Sequence, residues 1–385
     1  MGTLNDPLQA AQALRTTIRA TRQETEESRR LAPQVVMGLI DTGLCRLALP
    51  ANLGGYEAEP VVTLKVYEEL AWADASVAVV ALNNHLPCLT SRFFPEVVRT
   101  SLFGNVRHLF ANSTRPSGQA SVVSSGYRVT GRWSLVSGCE LADWIPLMCV
   151  IKADPEPGSP RQDAPEVRLM FVPKGSYQIV DTWRVGGLRG TGSHDVVVED
   201  IFVPAEHTCS LLDPDQLNQP ISRMPFRSTV AAVAAAICVG IAQAAMDTLL
   251  ELGSSKVQVD PQPQLRDRPT VQAMVAASAA AVDAARLLLY EAGSDIWAAC
   301  YRDHPVTDIQ RARVWGSVIH AARTSKTVVT SMYEAAGASA LYVDCPIERA
   351  HRDIHAITQH IILAPVQLED AGRVYLGLQP NNPLF

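Results

Sequence analysis

The strongest constraint on this chain is a double change of period. Up to about His108, apolar residues recur at helical spacing. From Phe110 to Ile201, short runs alternate apolar and polar residues between glycines, serines and prolines. After Pro220 the helical spacing returns. Such an order predicts an α+β chain in which a β-layer separates two helical segments. The boundaries fall at residues 1–108, 109–219 and 220–385. A length of 385 residues is too great for one small core, consistent with three parts.

Within the first part, Pro7 to Thr42 carries a charge-rich helical pattern, and Gly43 reads as its C-cap. Gly54, Gly55 and Pro60 turn the chain, and Val61 to Leu82 reads as a helix or a pair of helices. Asn83, Asn84 and His85 read as a polar cluster closing it, and Pro95 to Leu102 as a further short helix. The middle part contains SVVSSGYRVTGRW, WIPLMCVIKA, VRLMFVPKG, YQIVDTWRV and HDVVVEDIFVP, which read as antiparallel strands of a barrel or sandwich. Asp154 to Pro165 reads as a Pro-rich surface loop. The last part predicts a four-helix bundle: Ser228–Leu252, Thr270–Ala299, Val306–Ala336, and Ile347–Leu376 broken near Pro365.

Composition excludes several functions. A net charge of −6 without a basic block argues against nucleic acid as partner. The N-terminus has no basic segment followed by an apolar run, so no signal peptide is expected. Val230 to Ala245 is the most apolar stretch and is too short to span a bilayer, so no membrane is expected. The eight cysteines are scattered without CxxC spacing, which suggests neither zinc nor a disulfide framework and fits a reducing cytoplasm.

In Gly131–Trp144, GRWSLVSGCELADW, a strand bends at Ser137-Gly138. A small hydroxyl beside a glycine lets a backbone approach a flat ligand, although a surface hairpin around a core tryptophan would read the same way. The helix–β–helix order, together with GGLRGTGSHDVVVEDIFVP, YEAAGA and HRDIHAITQH, resembles the acyl-CoA dehydrogenase superfamily. Within it, a dehydrogenase needs a carboxylate whose pKa burial can raise. The family's usual position follows the arginine-aspartate pair, here Arg352-Asp353, yet IHAITQHIILAP has no carboxylate before Glu369. The alternative position, FRSTVAAVAAA, has none either, and the R-x-Q-F-G phrase is missing. GRWSLVSGCELADW, LRDRPTVQAMVA and RDIHAITQH instead resemble the flavin-dependent monooxygenase branch.

That resemblance implies the acyl-CoA dehydrogenase fold and the oxygenase component of a two-component monooxygenase. Reduced FMN or FAD would come from a separate flavin reductase and react with O₂ to a C4a-hydroperoxide that oxygenates a small organic substrate. It implies a homotetramer or dimer. Catalytic roles would fall to His360, Ser137 and His85, with His360 on the last helix. Flavin contacts would come from Trp133, Ser137, Gly138, Asn112, Ser113, Arg189, Ser193 and Gly337. Substrate contacts would come from Asn84 and His85. Two departures bear on the flavin: the family's acidic T-E-P is here Thr114-Arg115-Pro116, and its G-G phrase is Ala336-Gly337. Cys139 precedes Glu140, a poor setting for a thiolate, and reads as structural.

Overall fold

The structure, a computed structural model, describes residues 6–152, 165–255 and 264–385. Of the Pro-rich loop read over Asp154–Pro165, all but Pro165 lies outside the described residues.

Six helices form the first layer: α1 (Pro7–Ala20), α2 (Arg22–Ser28), α3 (Pro33–Thr42), α4 (Pro60–Ala73), α5 (Ala75–Thr90) and α6 (Glu96–Phe103). Proline opens α1, α3 and α4, where its missing N–H costs nothing. Gly43 ends α3 with a left-handed φ of 69°. At Asp74 the backbone turns extended, and its carboxylate caps α5 by accepting from Ser76 N at 2.8 Å.

The polar cluster does not close a helix, contrary to the sequence reading. Helix α5 continues through Asn83, Asn84, His85 and Pro87. Pro87 has no N–H to give the carbonyl four residues back, which is that of Asn83. Asn112 supplies the missing donor, its Nδ2 lying 3.0 Å from Asn83 O. A helix defect is thus converted into a tertiary link.

Among the described residues seven strands follow: β1 (Ser113–Val123), β2 (Gly126–Val136), β3 (Trp144–Lys152), β4 (Val167–Pro173), β5 (Gln178–Val180), β6 (His194–Pro204) and β7 (Thr208–Cys209). They form one sheet in the order β5-β6-β2-β1-β3-β4-β7. Every pairing is antiparallel except β1 with β3, which is parallel. The reason lies in the connection: after β2 the chain passes the end of β1 through residues 137–143 and starts β3 on its far side. Trp133, Val136, Leu147 and Val196 are among the buried side chains of this sheet. Phe103 of α6 stacks on Phe110 at 5.1 Å and meets Phe171 of β4 edge-on at 5.9 Å, tying helices to sheet.

The last part comprises α7 (Phe226–Ser255), α8 (Pro269–Tyr301), α9 (Asp308–Ala336), α10 (Pro346–Ile357) and α11 (Leu368–Tyr375). Every residue of α7 from Val230 to Ala242 is buried, because alanines let neighbouring helices close on all sides. At Gly240 a Cβ would lie 2.4 Å from Glu68 O, so only glycine permits α4 and α7 to approach so closely. Thr307 and Gln310 form a capping box at the start of α9.

The fourth bundle helix differs from expectation. It ends at Ile357, well before Pro365, and short 3₁₀ turns at Ile361–Leu363 and Pro365–Gln367 lead into α11. Thr358 Oγ1 donates to Ile354 O at 2.8 Å, and His360 Nδ1 accepts from Ile362 N at 3.2 Å. These local bonds compete with helix continuation. His360 therefore stands in a break, not on a helix.

Candidate active site

The site begins where β2 loses its register. Between Trp133 and Val136 the pairing with β6 slips, and Leu135 takes a left-handed φ of 62°. A bulge of this kind re-aims the residues that follow it. Next come Ser137 and Gly138, the latter at φ 76°, with a Val80 methyl 3.2 Å from where a Cβ would lie. Facing them is the tight turn Arg189–Thr191 and Gly192. Gly138 N donates to Thr191 O at 2.8 Å, and Cys139 Sγ lies 3.6 Å from Gly192 O. Burial, then the charge of Glu140, pushes the Cys139 thiol up to about 12, so it is an inert core group.

Three hydroxyls line up in this pair of turns. Ser137 Oγ is 2.7 Å from Ser193 Oγ, which is 2.6 Å from Thr191 Oγ1, which donates to Leu188 O at 2.8 Å. Thr191 and Ser193 are buried, while Ser137 is only half-buried and forms the open end. Asn83 Nδ2 donates to Ser137 O at 2.8 Å, so α5 holds the loop from the other side.

Strand β1 carries the wall onward. Asn112 is bound to Asn83, and Ser113 follows it, both buried. Between Ser113 and Gly118 the register with β3 slips, and the exposed residues 114–117 have no register partner among the described residues. Arg115 in this segment acts on His360: burial first, then the Arg115 charge, lowers the His360 pKa below its ordinary 6.5. His360 is nevertheless exposed at its edge. Because Nδ1 accepts from Ile362, the proton of the neutral ring sits on Nε2, which can donate outward.

The turn is anchored from below by α10. Asp353 Oδ1 accepts from Leu188 N at 2.6 Å. Burial, then the neighbouring Asp74, raises the Asp353 pKa to about 7. Arg349 contacts Glu26 at 2.8 Å and Asp74 at 3.4 Å, and Arg352 contacts Glu26 at 2.9 Å. Arg189 also belongs here, 3.6 Å from Glu26.

Several expected site residues lie elsewhere. Trp133 is 0% exposed, with Nε1 donating to Met148 O at 2.8 Å, so it is sheet core and has no face left for a flavin. Asn84 is committed within the protein, donating to Val80 O at 3.0 Å and accepting from Phe110 N at 2.6 Å. That leaves its amide little to offer a substrate. Ser193 stands behind Ser137 and not at the ligand surface. Gly337 ends α9 at φ 56° with open space where a Cβ would lie, and has no hydrogen bond to the hydroxyl row among the described residues.

His85 faces an apolar cavity. It is 2% exposed, its ring meets Tyr67 edge-on at 5.8 Å, and neither His85 Nδ1 nor Tyr67 Oη has a hydrogen-bond partner among the described residues. Burial lowers its pKa to about 4, so it is neutral. It lines an apolar cavity with Leu64, Met224, Ala232 and Ile296, and none of the residues lining that cavity is a carboxylate. Sequence reasoning did not single out Asn83, Thr191 or Asp353 as site residues. Each had a signal: Thr191 its place in the hydroxyl-rich RGTGSHD, Asn83 the polar cluster it shares with Asn84 and His85, and Asp353 the Arg352-Asp353 pair.

Two family models match the chain: the acyl-CoA dehydrogenase N-terminal domain over residues 9–93 and the acyl-CoA dehydrogenase C-terminal domain over residues 232–365. An indole-3-acetate monooxygenase from Pseudomonas putida is 31% identical over 94% of this chain and 91% of its own length. The chain belongs to the acyl-CoA dehydrogenase superfamily, in its flavin-dependent monooxygenase branch. Another member of that branch, the oxygenase subunit HsaA of Rhodococcus jostii, is 30% identical over 92% of this chain and 93% of its own length. The solved structure of XiaF from Streptomyces sp., in complex with FADH2 and glycerol, matches with a TM-score of 0.89 and 26% identity, covering 98% of this chain and 96% of that one. Within the superfamily this chain has the α+β architecture of its relatives, with a mixed sheet between helical layers.

The residues present fit a flavin. The Ser137–Gly138 turn carries no charged side chain, residues 114–117 are exposed where the register with β3 slips, and Arg115 supplies an exposed cation.

Proposed function

We propose that this chain is the oxygenase component of a two-component monooxygenase that takes reduced FMN or FAD from a separate flavin reductase and oxygenates a small organic substrate. The observation that carries the reading is the half-buried Ser137 hydroxyl, backed by a buried hydroxyl row and joined through β1 to a neutral, outward-donating His360. When bound, reduced flavin supplies two electrons to O₂, so that one oxygen atom enters the substrate and the other leaves as water. Ser137, Gly138, Asn112, Ser113 and the 114–117 backbone hold the ring. Arg115 and Arg189 offer cations for its phosphate, and Gly337 approaches it from a neighbouring subunit. His360 donates or accepts a proton at Nε2 on the open side. His85, neutral in its apolar cavity, orients substrate with an unpaired nitrogen.

The relative named as an oxygenase subunit supports a separate reductase. Self-association as a homotetramer or dimer is supported by α8, a long apolar helix that leaves Leu287 66% exposed. Free thiols at all eight cysteines support a reducing cytoplasm.

The test mixes the protein anaerobically with reduced FMN or FADH₂, admits O₂, and follows return of the oxidised-flavin visible band. An oxygenase delays that return relative to free flavin. Prompt return, with bleaching of bound oxidised flavin by an acyl-CoA thioester, would instead establish a dehydrogenase.

A further inference from the structure

The hydroxyl row has a direction. Each serine or threonine hydroxyl carries one proton and can give it to one acceptor. Thr191 Oγ1 sits 2.8 Å from the carbonyl of Leu188, which has no proton to offer, so the threonine proton lies in that contact. Its 2.6 Å contact with Ser193 must then be donated by Ser193. Ser193 has spent its proton, so the 2.7 Å contact with Ser137 must be donated by Ser137. Ser137 Oγ therefore turns its proton inward and presents lone pairs at the open end.

The start of the row is firmly held. Leu188 is fixed by Asp353 through its N–H at 2.6 Å, and Thr191 O is bound by Gly138 N at 2.8 Å. Thr191 is 1% exposed and Ser193 4%, so water does not compete for their hydroxyls. Only Ser137 reaches the surface.

We propose that Thr191, acting through Ser193, is a positioning residue that makes Ser137 a hydrogen-bond acceptor and so selects a ligand that donates at that point. On the flavin reading above, on which this inference rests, it selects the reduced over the oxidised ring. Reduced flavin carries an N–H at the central ring nitrogen N5, whereas oxidised flavin carries only a lone pair there. Two lone pairs facing each other repel, so the oxidised ring loses what the reduced ring gains.

Removing the threonine hydroxyl undoes the order. In Thr191→Val, Ser193 loses its acceptor and can donate to Ser137, which can then donate outward. Thr191→Ser keeps the hydroxyl and loses only the methyl. The experiment measures Kd for dithionite-reduced and for oxidised FMN, each with wild type, Thr191→Val, Thr191→Ser and Ser193→Ala. Wild type is expected to favour reduced FMN. Thr191→Val and Ser193→Ala should each lower the ratio of the two constants by about threefold to tenfold, the worth of one hydrogen bond. Most of the change should be gained affinity for oxidised FMN, and Thr191→Ser should restore the wild-type ratio.

An unchanged ratio in Thr191→Val, or an equal shift in Thr191→Ser, overturns the proposal while leaving the flavin reading intact. If Thr191→Val does not fold, Ser193→Ala decides alone. A wild type that binds no reduced flavin overturns both readings.

Discussion

Replacing Asp353 by asparagine should change how stability depends on pH, and the structure fixes the sign. Asp353 is buried at the junction of α10 with the Leu188 turn, accepting from Leu188 N at 2.6 Å. Asp74 repels it, Arg349 and Arg22 attract it, and Glu26 lies nearby with a lowered pKa because Arg349 and Arg352 outweigh its own burial. The net effect lifts the Asp353 pKa from 3.8 to about 7. The folded state thus holds this proton more tightly than the unfolded state does. Its contribution to stability is greatest below pH about 4, declines as pH rises, and is gone above about 7. Integrated over that window the loss is at most about 4 kcal/mol, at ~1.4 kcal/mol per unit.

Asparagine keeps the oxygen that accepts from Leu188 but cannot ionise. Asp353→Asn should therefore match wild type near pH 4 and become progressively more stable than it up to pH 7. Urea denaturation at half-unit pH steps measures the difference, which cancels slopes common to both proteins. A wild-type-minus-variant difference that is flat from pH 4 to 7 would refute the assignment of the proton to Asp353.

Two further outcomes follow from the site. His360→Gln should slow oxygen transfer to substrate by a factor of about 10²–10⁴, and remove an acid limb below pH 6.5, with little change in denaturation midpoint because glutamine keeps an acceptor for Ile362 N. An unchanged rate of transfer would remove His360 from the chemistry. Trp133→Phe loses the Nε1–H bond to Met148 O and part of the sheet core, and should cost on the order of 2 kcal/mol in urea denaturation. A loss of flavin affinity with unchanged stability would return Trp133 to the binding surface.

The sequence was a good guide to elements and a poorer one to sites. The helix-to-strand-to-helix change of period, the Gly43 cap and the first three long bundle helices were legible because hydrophobic spacing and caps are local signals. The parallel β1–β3 pair was not, since alternation shows which residues share a face but not which strand lies alongside. Nor was the run of α5 through Pro87, because the donor that compensates it, Asn112, is remote in sequence.

At the site the division is sharper. By itself the sequence determined the superfamily, through motifs in order, and the absence of a carboxylate at either position a dehydrogenase uses. It also marked Ser137 and His360 as candidates. The tertiary structure alone decided that His360 stands in a helix break with Nδ1 spent on Ile362, that Trp133 is core, and that Asn83 rather than Asn84 faces the Ser137 loop. Successive residues on a helix point about 100° apart, so a sequence can name a polar cluster without saying which member reaches the site. The direction of the Thr191–Ser193–Ser137 row was likewise out of reach. It follows from which oxygen meets a carbonyl, and that contact exists only once two turns 56 residues apart have folded against each other.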